Sequence, residues 1–142
     1  MKFNVFKIAL VLFALPFFSK CNKDSPNNVI PNVYVDVQIN INEPSSFNLQ
    51  PIGGWIYYNG GSNGLLIYRA NTDEFRCYDR HSTYKVSDWC QVQVNSTGFT
   101  LVDSCSGSQF SIFDGSVTKA PASIPLKQYP VVFDGTFITI RN

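Results

Sequence analysis

The sequence is poor in the residues from which metal sites and charged interfaces are built. It has one histidine among 142 residues, and only 15% of its residues are charged. The formal net charge of +1 excludes the strong positive field that nucleic-acid binding needs. A chain of this length buries one substantial core more readily than two. We therefore expect one domain and no nucleic-acid partner.

Helical periodicity is also missing after residue 20. The chain has short runs rich in Val, Ile, Tyr and Phe, which are separated by Gly, Asn, Asp and Pro. Residues 33–41 (VYVDVQINI) alternate apolar and polar side chains, which is typical of a half-buried strand. The pattern predicts an all-β antiparallel sandwich or small barrel. Its strands are predicted at residues 33–41, 53–58, 65–69, 75–80, 90–94, 99–102, 110–113, 129–133 and 137–141.

Turn signals separate several of these strands. Residues 70–74 and 95–98 predict hairpin loops, and Asp114-Gly115 and Asp134-Gly135 predict tight turns. The longest connection, residues 119–127 (KAPASIPLK), has no strand pattern. We expect it to cross the surface of the sheets.

The N-terminus has the pattern of an export signal. Lys2 and Lys7 come before an unbroken apolar run at residues 8–18 (IALVLFALPFF). This run is too short to span a bilayer and suits the core of a signal peptide. We therefore predict a signal peptide at residues 1–20.

Cys21 follows this segment directly, as the lipid-attachment cysteine does in bacterial lipoproteins. Such signals usually have leucine three residues earlier and a small residue just before the cysteine, whereas Phe18 and Lys20 occupy those places. The alternative is a plain secretory signal with an incidental cysteine. We predict lipidation of Cys21, a polar tether at residues 21–31 and a β domain at residues 32–142. The protein would then be exported and anchored to a bacterial membrane, at the outer membrane and periplasm or at the cell surface.

From Gly53 to the C-terminus, the order of features resembles the Rieske iron–sulfur family. The resemblance is carried by Gly107-Ser108-Gln109-Phe110, Asp114-Gly115, Ala120-Pro121-Ala122, Pro125-Leu126 and Tyr129. In that family a small β domain holds a [2Fe–2S] cluster between two loops, with Cys-x-His in the first and Cys-x-x-His in the second. The resemblance implies a Rieske-like fold with a two-loop subdomain, and it extends to secreted bacterial lipoproteins built on this fold.

The resemblance also implies where the cluster ligands would stand. Counting back from Gly107 places the second-loop histidine at Ser106 and the cysteine at Asp103. The first loop places its cysteine at Ser82 and its histidine at Tyr84. The cluster needs thiolates on one iron and imidazoles on the other, and these four positions offer neither. We therefore expect a domain that has lost its cluster ligands.

Two alternatives would keep a metal. A register that starts at Cys77 puts Asp79 in the first histidine place and recovers one cluster ligand. A zinc site could instead be built from Cys77, His81, Cys90 and Cys105. These four lack the paired CxxC spacing of well-known zinc sites. The sequence thus predicts no cofactor, with a [2Fe–2S] cluster or zinc as the alternative.

Cys90 and Cys105 are predicted to form a disulfide. Export places the cysteines in an oxidising compartment. Pairing Val94 with Leu101 across the hairpin makes Cys90 face Cys105, at a Cα separation of about 5 Å that a disulfide spans. The bond would stabilise the domain by about 3 kcal/mol in the chain-entropy description. Cys77 is then left as a buried small hydrophobe.

No nucleophile–base set stands out for catalysis. His81 with Ser82 or Ser108 lacks a G-x-S-x-G elbow, so we expect His81 to be an exposed loop residue. Tyr84 and Trp89 lie in the first loop and are candidates for an exposed contact patch. The sequence favours a non-catalytic binding or accessory protein with an unknown protein partner, and it leaves enzymatic activity open. The alternative function is electron transfer by an iron–sulfur or other metal centre.

Overall fold

The computed structural model describes residues 29–142, which form a domain built almost entirely from β-strands. These residues contain eleven strands: β1 (Asp36–Asn40), β2 (Trp55–Tyr58), β3 (Leu65–Arg69), β4 (Phe75–Asp79), β5 (Val92–Val94), β6 (Thr100–Asp103), β7 (Gln109–Ser111), β8 (Val117–Lys119), β9 (Gln128–Tyr129), β10 (Val131–Phe133) and β11 (Phe137–Arg141). Two short 3₁₀ helices lie at Pro44–Leu49 and Val86–Asp88. No helix in residues 29–142 is both long and apolar enough to span a bilayer. The predicted signal peptide, Cys21 and most of the predicted tether lie outside the described residues.

The strands form three antiparallel sheets. The outer sheet has the order β1-β11-β10, the central sheet β2-β3-β4-β9, and the loop sheet β5-β6-β7-β8. All strand pairs within these sheets are antiparallel, and most neighbours in the central and loop sheets are also neighbours in sequence. The all-β architecture predicted from the sequence is therefore confirmed.

The central sheet is buried on both faces. In β3, Leu65 and Ile67 point into one core and Leu66 and Tyr68 into another, and none of the four is more than 3% exposed. Successive side chains of a strand point to opposite faces, so a strand covered on both sides carries a continuous apolar run rather than an alternating one. This explains why the sequence LLIYR shows no polar positions until its end.

Two hydrophobic cores result. The first lies between the outer and central sheets, and its members include Ile39, Leu65, Cys77, Ile138 and Ile140. The second lies between the central and loop sheets, and its members include Leu66, Tyr78, Val92, Leu101 and Phe110. Cys77 is fully buried, as predicted. Burial and the neighbouring Asp79 carboxylate raise the pKa of the Cys77 thiol, so the thiol stays protonated and unreactive.

Most strand ends differ from the predicted ones by one to three residues, and two differences change which strands are present. Residues 129–133 do not form one strand, because Pro130 has no N–H to donate to a ladder. The chain leaves the central sheet after β9 and joins the outer sheet in β10, so Pro130 stands where it changes sheets. The sequence also missed β8, which pairs with β7 after the turn at Asp114-Gly115. The connection at residues 120–127 contains no strand, but Ala122 and Leu126 are buried in the second core.

Candidate functional site

The first loop, residues 81–91, connects β4 of the central sheet to β5 of the loop sheet. A β-bridge between His81 and Gln91 closes its base. Just inside this bridge, the Ser82 N–H donates to the Cys90 carbonyl at 2.8 Å. Within the loop, Lys85 and Trp89 have left-handed backbone conformations on either side of the 3₁₀ turn, with φ of 47° and 53°. The ends of this loop are therefore fixed in relation to both sheets.

The second loop, residues 104–108, is a tight connection between β6 and β7. The Gly107 N–H donates to the Asp103 carbonyl at 2.8 Å, and the Cys105 N–H donates to Asp103 Oδ1 at 2.9 Å. Gly107 has a φ of 76°, a conformation that an L-residue adopts only with strain. The turn therefore depends on a glycine at one end and on the Asp103 side chain at the other.

A disulfide between Cys90 and Cys105 joins the two loops. Across the β5–β6 hairpin, Val92 pairs with Asp103 and Val94 with Leu101, which is the register predicted from the sequence. The Cα atoms of the two cysteines lie 6.2 Å apart, within the range that a disulfide spans. The predicted disulfide is thus confirmed.

Asp103 is the centre of a hydrogen-bond network between the loops. Its side chain is fully buried, and its Oδ2 accepts from the Ser82 hydroxyl at 2.7 Å and from the Ser106 hydroxyl at 2.6 Å. The Cys105 N–H adds a third bond, to Oδ1. A buried carboxylate needs several donors to offset the loss of water, and here it has them.

The proton directions in this network follow from its members. Ser106 gives its hydroxyl proton to Asp103, so in the 2.7 Å contact between Ser106 and Ser108 the donor is Ser108. Ser108 Oγ in turn accepts the Ala122 N–H at 2.9 Å. The chain of bonds therefore runs from the backbone of the 120–127 connection to the buried carboxylate. It uses the hydroxyl protons of Ser108 and Ser106, and Ser82 donates to the same carboxylate from the first loop.

The structure thus brings three of the four predicted ligand positions together. Ser82 and Ser106 both donate to Asp103, whereas the Tyr84 side chain takes no part in these bonds. Tyr84 is half-buried against the second core, and only its backbone N–H contacts the network, at 3.3 Å from Ser82 Oγ. Of the predicted contact patch, Trp89 is exposed over 58% of its surface and Tyr84 is not.

The prediction that His81 is exposed is wrong, because its side chain is fully buried. Nε2 donates to the Val86 carbonyl at 2.8 Å, since a carbonyl can only accept. Nδ1 contacts the Ser62 hydroxyl at 2.8 Å, and the ring stacks on Trp89 at a centroid distance of 4.9 Å. Both ring nitrogens are therefore occupied within the fold. The sequence could not show this, because Ser62 comes from the β2–β3 loop.

A second buried carboxylate, Asp79, holds that loop and the start of the first loop together. Its oxygens accept from the backbone N–H groups of Ser62 at 2.6 Å, Asn63 at 3.2 Å and His81 at 2.9 Å. The Tyr129 hydroxyl donates to Oδ2 at 2.8 Å. Residues 59–64 (NGGSNG) therefore wrap an internal anion.

The comparisons with known proteins agree with this architecture. No family model matches the chain, and no curated protein matches it. Among solved structures, the chain is similar to the cyanobacterial plasma membrane Rieske protein PetC3 from Synechocystis PCC 6803, with a TM-score of 0.58 and 20% identity over 75% of this chain and 99% of that chain. A weaker similarity, with a TM-score of 0.49 and 17% identity, is to the ferredoxin of carbazole 1,9a-dioxygenase from Nocardioides aromaticivorans IC177, over 78% of this chain and 98% of that chain. The first similarity shows that the fold is Rieske-like.

The residues of the two loops do not fit a Rieske cluster. That cluster is held by two thiolates and two imidazoles. Cys90 and Cys105 are tied in a disulfide and offer no thiolate, and His81, the one histidine of the chain, has both ring nitrogens bonded. The four predicted ligand positions hold two serines, a tyrosine and an aspartate, and both serine hydroxyls donate to the aspartate.

The zinc alternative is not supported by the geometry either. Within residues 29–142, the side chains close enough to share a metal ion are Cys90, Asp103 and Cys105. This group lacks Cys77 and His81, the other two members of the proposed zinc site. Its two sulfur atoms form the disulfide, so they cannot serve as thiolate ligands.

Proposed function

We propose that this chain is an exported, lipid-anchored Rieske-fold protein that carries no iron–sulfur cluster and serves as a non-catalytic binding module. One observation carries the proposal. Ser82, Asp103 and Ser106, at three of the predicted ligand positions, donate and accept hydrogen bonds among themselves. The disulfide between the loops adds a covalent link where thiolates would be needed. The two loops are thus stabilised by the chain itself rather than by a metal.

The proposed contact with a partner is through Trp89. Trp89 is 58% exposed in the first loop, while its indole ring stacks on His81. Its left-handed backbone conformation is uncommon for a residue other than glycine. Strained backbone that the surrounding structure enforces occurs often at functional sites. Exposed, well-supported tryptophans are also frequent anchors of protein interfaces.

Site-specific photo-crosslinking in membrane preparations tests this contact. A benzoylphenylalanine residue replaces Trp89 in one sample and Val132, which is 67% exposed on β10, in the control. We expect a discrete protein adduct from position 89 that position 132 does not give. The same adducts from both positions, or none from position 89 in cells that contain the natural partner, would contradict docking through the first loop.

The proposed anchor is an acyl-modified Cys21. Its removal is tested by Cys21→Ser, with Cys77→Ala as a control for loss of a cysteine elsewhere. We expect the wild-type protein and the Cys77 variant to carry acyl chains on Cys21 and the Cys21 variant to carry none. Mass spectrometry of the N-terminal peptide checks the acyl chains directly. A wild-type protein with an unmodified Cys21, or with a mature N-terminus at another residue, would contradict lipid anchoring.

Electron transfer remains the competing hypothesis, and it makes a different demand on the two loops. An electron carrier of this fold would need the Cys90–Cys105 bond open and a ligand set that includes His81. Opening the bond would not free the ring nitrogens of His81, because their contacts are to Ser62 and Val86 and not to either cysteine. The binding module is therefore the function that the geometry supports best.

A further inference from the structure

A polar groove lies beside the first loop and takes no part in the network around Asp103. It has a volume of about 630 Å³, and residues 59–64 form one wall. Tyr57 and Tyr58 at the end of β2, with Arg80 and Gln91 at the base of the first loop, complete it. Trp89 does not line the groove, although the Asn63 side-chain amide donates to the Trp89 carbonyl at 2.8 Å, so ligand binding there is a proposal beyond the proposed function.

Arg80 is the unusual residue of the groove. Its guanidinium lies over the Tyr57 ring at 3.7 Å from the ring centroid, and its Nε–H donates to the Val92 carbonyl at 3.2 Å. The terminal Nη1 and Nη2 groups form no hydrogen bond with residues 29–142, and no carboxylate of these residues pairs with them. Burial lowers the pKa of Arg80 because the charge has lost part of its water.

The nearest carboxylate in sequence does not neutralise this charge. Asp79 and Arg80 are consecutive, so their side chains leave the chain in opposite directions. The Asp79 carboxylate lies behind the 59–64 loop, where three backbone N–H groups and the Tyr129 hydroxyl use it. Partly buried charges are normally paired with an opposite charge. Arg80 instead keeps the N–H groups of Nη1 and Nη2 available, with no carboxylate among the described residues bound to them.

The rest of the groove offers both hydrogen-bond donors and hydrogen-bond acceptors. Gln91 Nε2 donates to the Asn63 carbonyl and to Asn63 Oδ1, at 2.8 and 3.1 Å, which leaves Gln91 Oε1 to accept. The exposed Asn59 amide has no side-chain hydrogen bond within residues 29–142. Tyr58 shows 40% of its surface. A ligand with hydroxyl groups and a flat apolar side would use these groups.

We propose that this groove binds a carboxylate-bearing sugar, a uronic acid, with the carboxylate on Arg80. A planar guanidinium binds a carboxylate through two parallel N–H···O bonds, and it does so better than a point charge. The amides of Asn59 and Gln91 then face the hydroxyl groups. The ligand would come either as a free monosaccharide or as part of an acidic polysaccharide.

Nuclear magnetic resonance titration of the full chain with galacturonate tests the site. We expect shifts in residues 59–64 and at Arg80 Nε, with a dissociation constant of about 1 mM, as suits a small ligand in an open groove. Galactose, which lacks the carboxylate, and acetate, which lacks the hydroxyl groups, should each bind about tenfold more weakly. A galacturonate trimer that binds more tightly than the monomer assigns the source to a polysaccharide. Equal affinity assigns it to the free sugar.

Two variants and a control complete the test. Arg80→Gln should weaken galacturonate binding by about tenfold or more, and Asn59→Ala by about threefold without disturbing the fold. Lys119→Gln, which removes the same charge from an exposed site on β8, should leave binding unchanged. If Arg80→Gln does not fold, the Asn59 variant and the galactose comparison decide. Equal binding of galactose or acetate, shifts outside the groove, or no shift at all would overturn the proposal.

Discussion

Asp103 is the residue on which the two loops depend most. It is fully buried and receives three hydrogen bonds, from Ser82, Ser106 and the Cys105 backbone. Hydrogen bonds to a charged group are stronger than those between neutral groups, and a buried charge that loses a donor has no water to replace it. The side chains at these predicted ligand positions therefore have a structural role of their own.

Removal of one donor to Asp103 should destabilise the domain. We expect Ser82→Ala to lower the free energy of unfolding by about 2 kcal/mol. Ser104→Ala is the matched control, because Ser104 is an exposed serine of the second loop, next to Asp103 in sequence. The control should change stability by less than about 0.5 kcal/mol. Urea denaturation measures both, and equal stabilities would mean that the network does not support the fold.

Buried tyrosines make a second prediction at this scale, for alkaline pH. Burial raises the pKa of Tyr78 to about 12, although Arg76 lowers it in part. Burial, followed by the bond to Asp79, also raises the pKa of Tyr129. Above the unfolded pKa of about 10, the unfolded chain loses protons that the native chain keeps. Stability is therefore complete below about pH 10 and falls as pH rises toward the folded values, by up to about 1.4 kcal/mol per unit for each group.

Urea denaturation between neutral and strongly alkaline pH measures how steeply the free energy of unfolding falls as pH rises. Tyr78→Phe should flatten this slope, and it should keep the neutral-pH stability because the Tyr78 hydroxyl has no hydrogen-bond partner within residues 29–142. Tyr58→Phe, at an exposed site, should leave the slope as it is. A Tyr78 variant with the wild-type slope would show that this side chain does not cause the loss.

Among the elements, the β2–β3 loop is shaped around Asp79. Gly61 has a φ of 63°, and a Cβ atom there would lie 2.6 Å from Asp79 Oδ2 and 3.1 Å from the Tyr129 hydroxyl. Gly98, in the β5–β6 hairpin, has a φ of 79° but nothing within 4 Å of its Cβ position. The two glycines thus share a left-handed backbone and differ in the space around them.

Substituting these two glycines distinguishes backbone strain from the steric overlap of an added methyl group. Gly98→Ala should destabilise the domain by about 1 kcal/mol, because alanine is strained in a left-handed conformation. Gly61→Ala should destabilise it by at least about 2 kcal/mol more, because the new methyl group displaces a buried carboxylate. Thermal and urea denaturation compare the two variants. Equal losses would indicate that the 59–64 loop moves away from Asp79 without difficulty.

The disulfide links the first loop, just before β5, to the turn after β6. The double variant Cys90→Ser, Cys105→Ser should lose about 3 kcal/mol of unfolding free energy, since the bond closes a segment with a sequence separation of 15. Reduced wild-type protein is the control and should show the same loss, because the third described cysteine, Cys77, is free. A double variant as stable as the oxidised protein would mean that the hydrogen bonds alone hold the loops.

The elements that local pattern controls could be predicted, and those that distant contacts control could not. The β5–β6 register followed from matching Val94 with Leu101, so the disulfide was predictable. The strand β8 has only three residues and little apolar pattern, so nothing in the sequence marked it. The burial of His81 and the unpaired charge of Arg80 depend on the 59–64 loop. The sequence of residues 59–64 is rich in glycine, but nothing in it indicates that this loop binds the buried Asp79 carboxylate.

The molecule as a whole keeps a Rieske-like fold while its two loops are held by serine, aspartate and cystine. Two cores, one on each face of the central sheet, support this arrangement from both sides. We therefore expect the fold to be complete without a metal cluster. Export and lipid anchoring are separate proposals: export rests on the predicted signal peptide at residues 1–20, and anchoring rests on Cys21.

The most direct test is the iron content and visible spectrum of the chain from Asn27 to Asn142, purified without oxygen and without reducing agent. We predict a colourless protein without iron and with one free thiol, Cys77. About two iron atoms per chain with visible absorption, and no disulfide, would contradict this prediction. The loops would then hold a cluster through ligands that this structure does not bring together, and electron transfer would become the function to pursue.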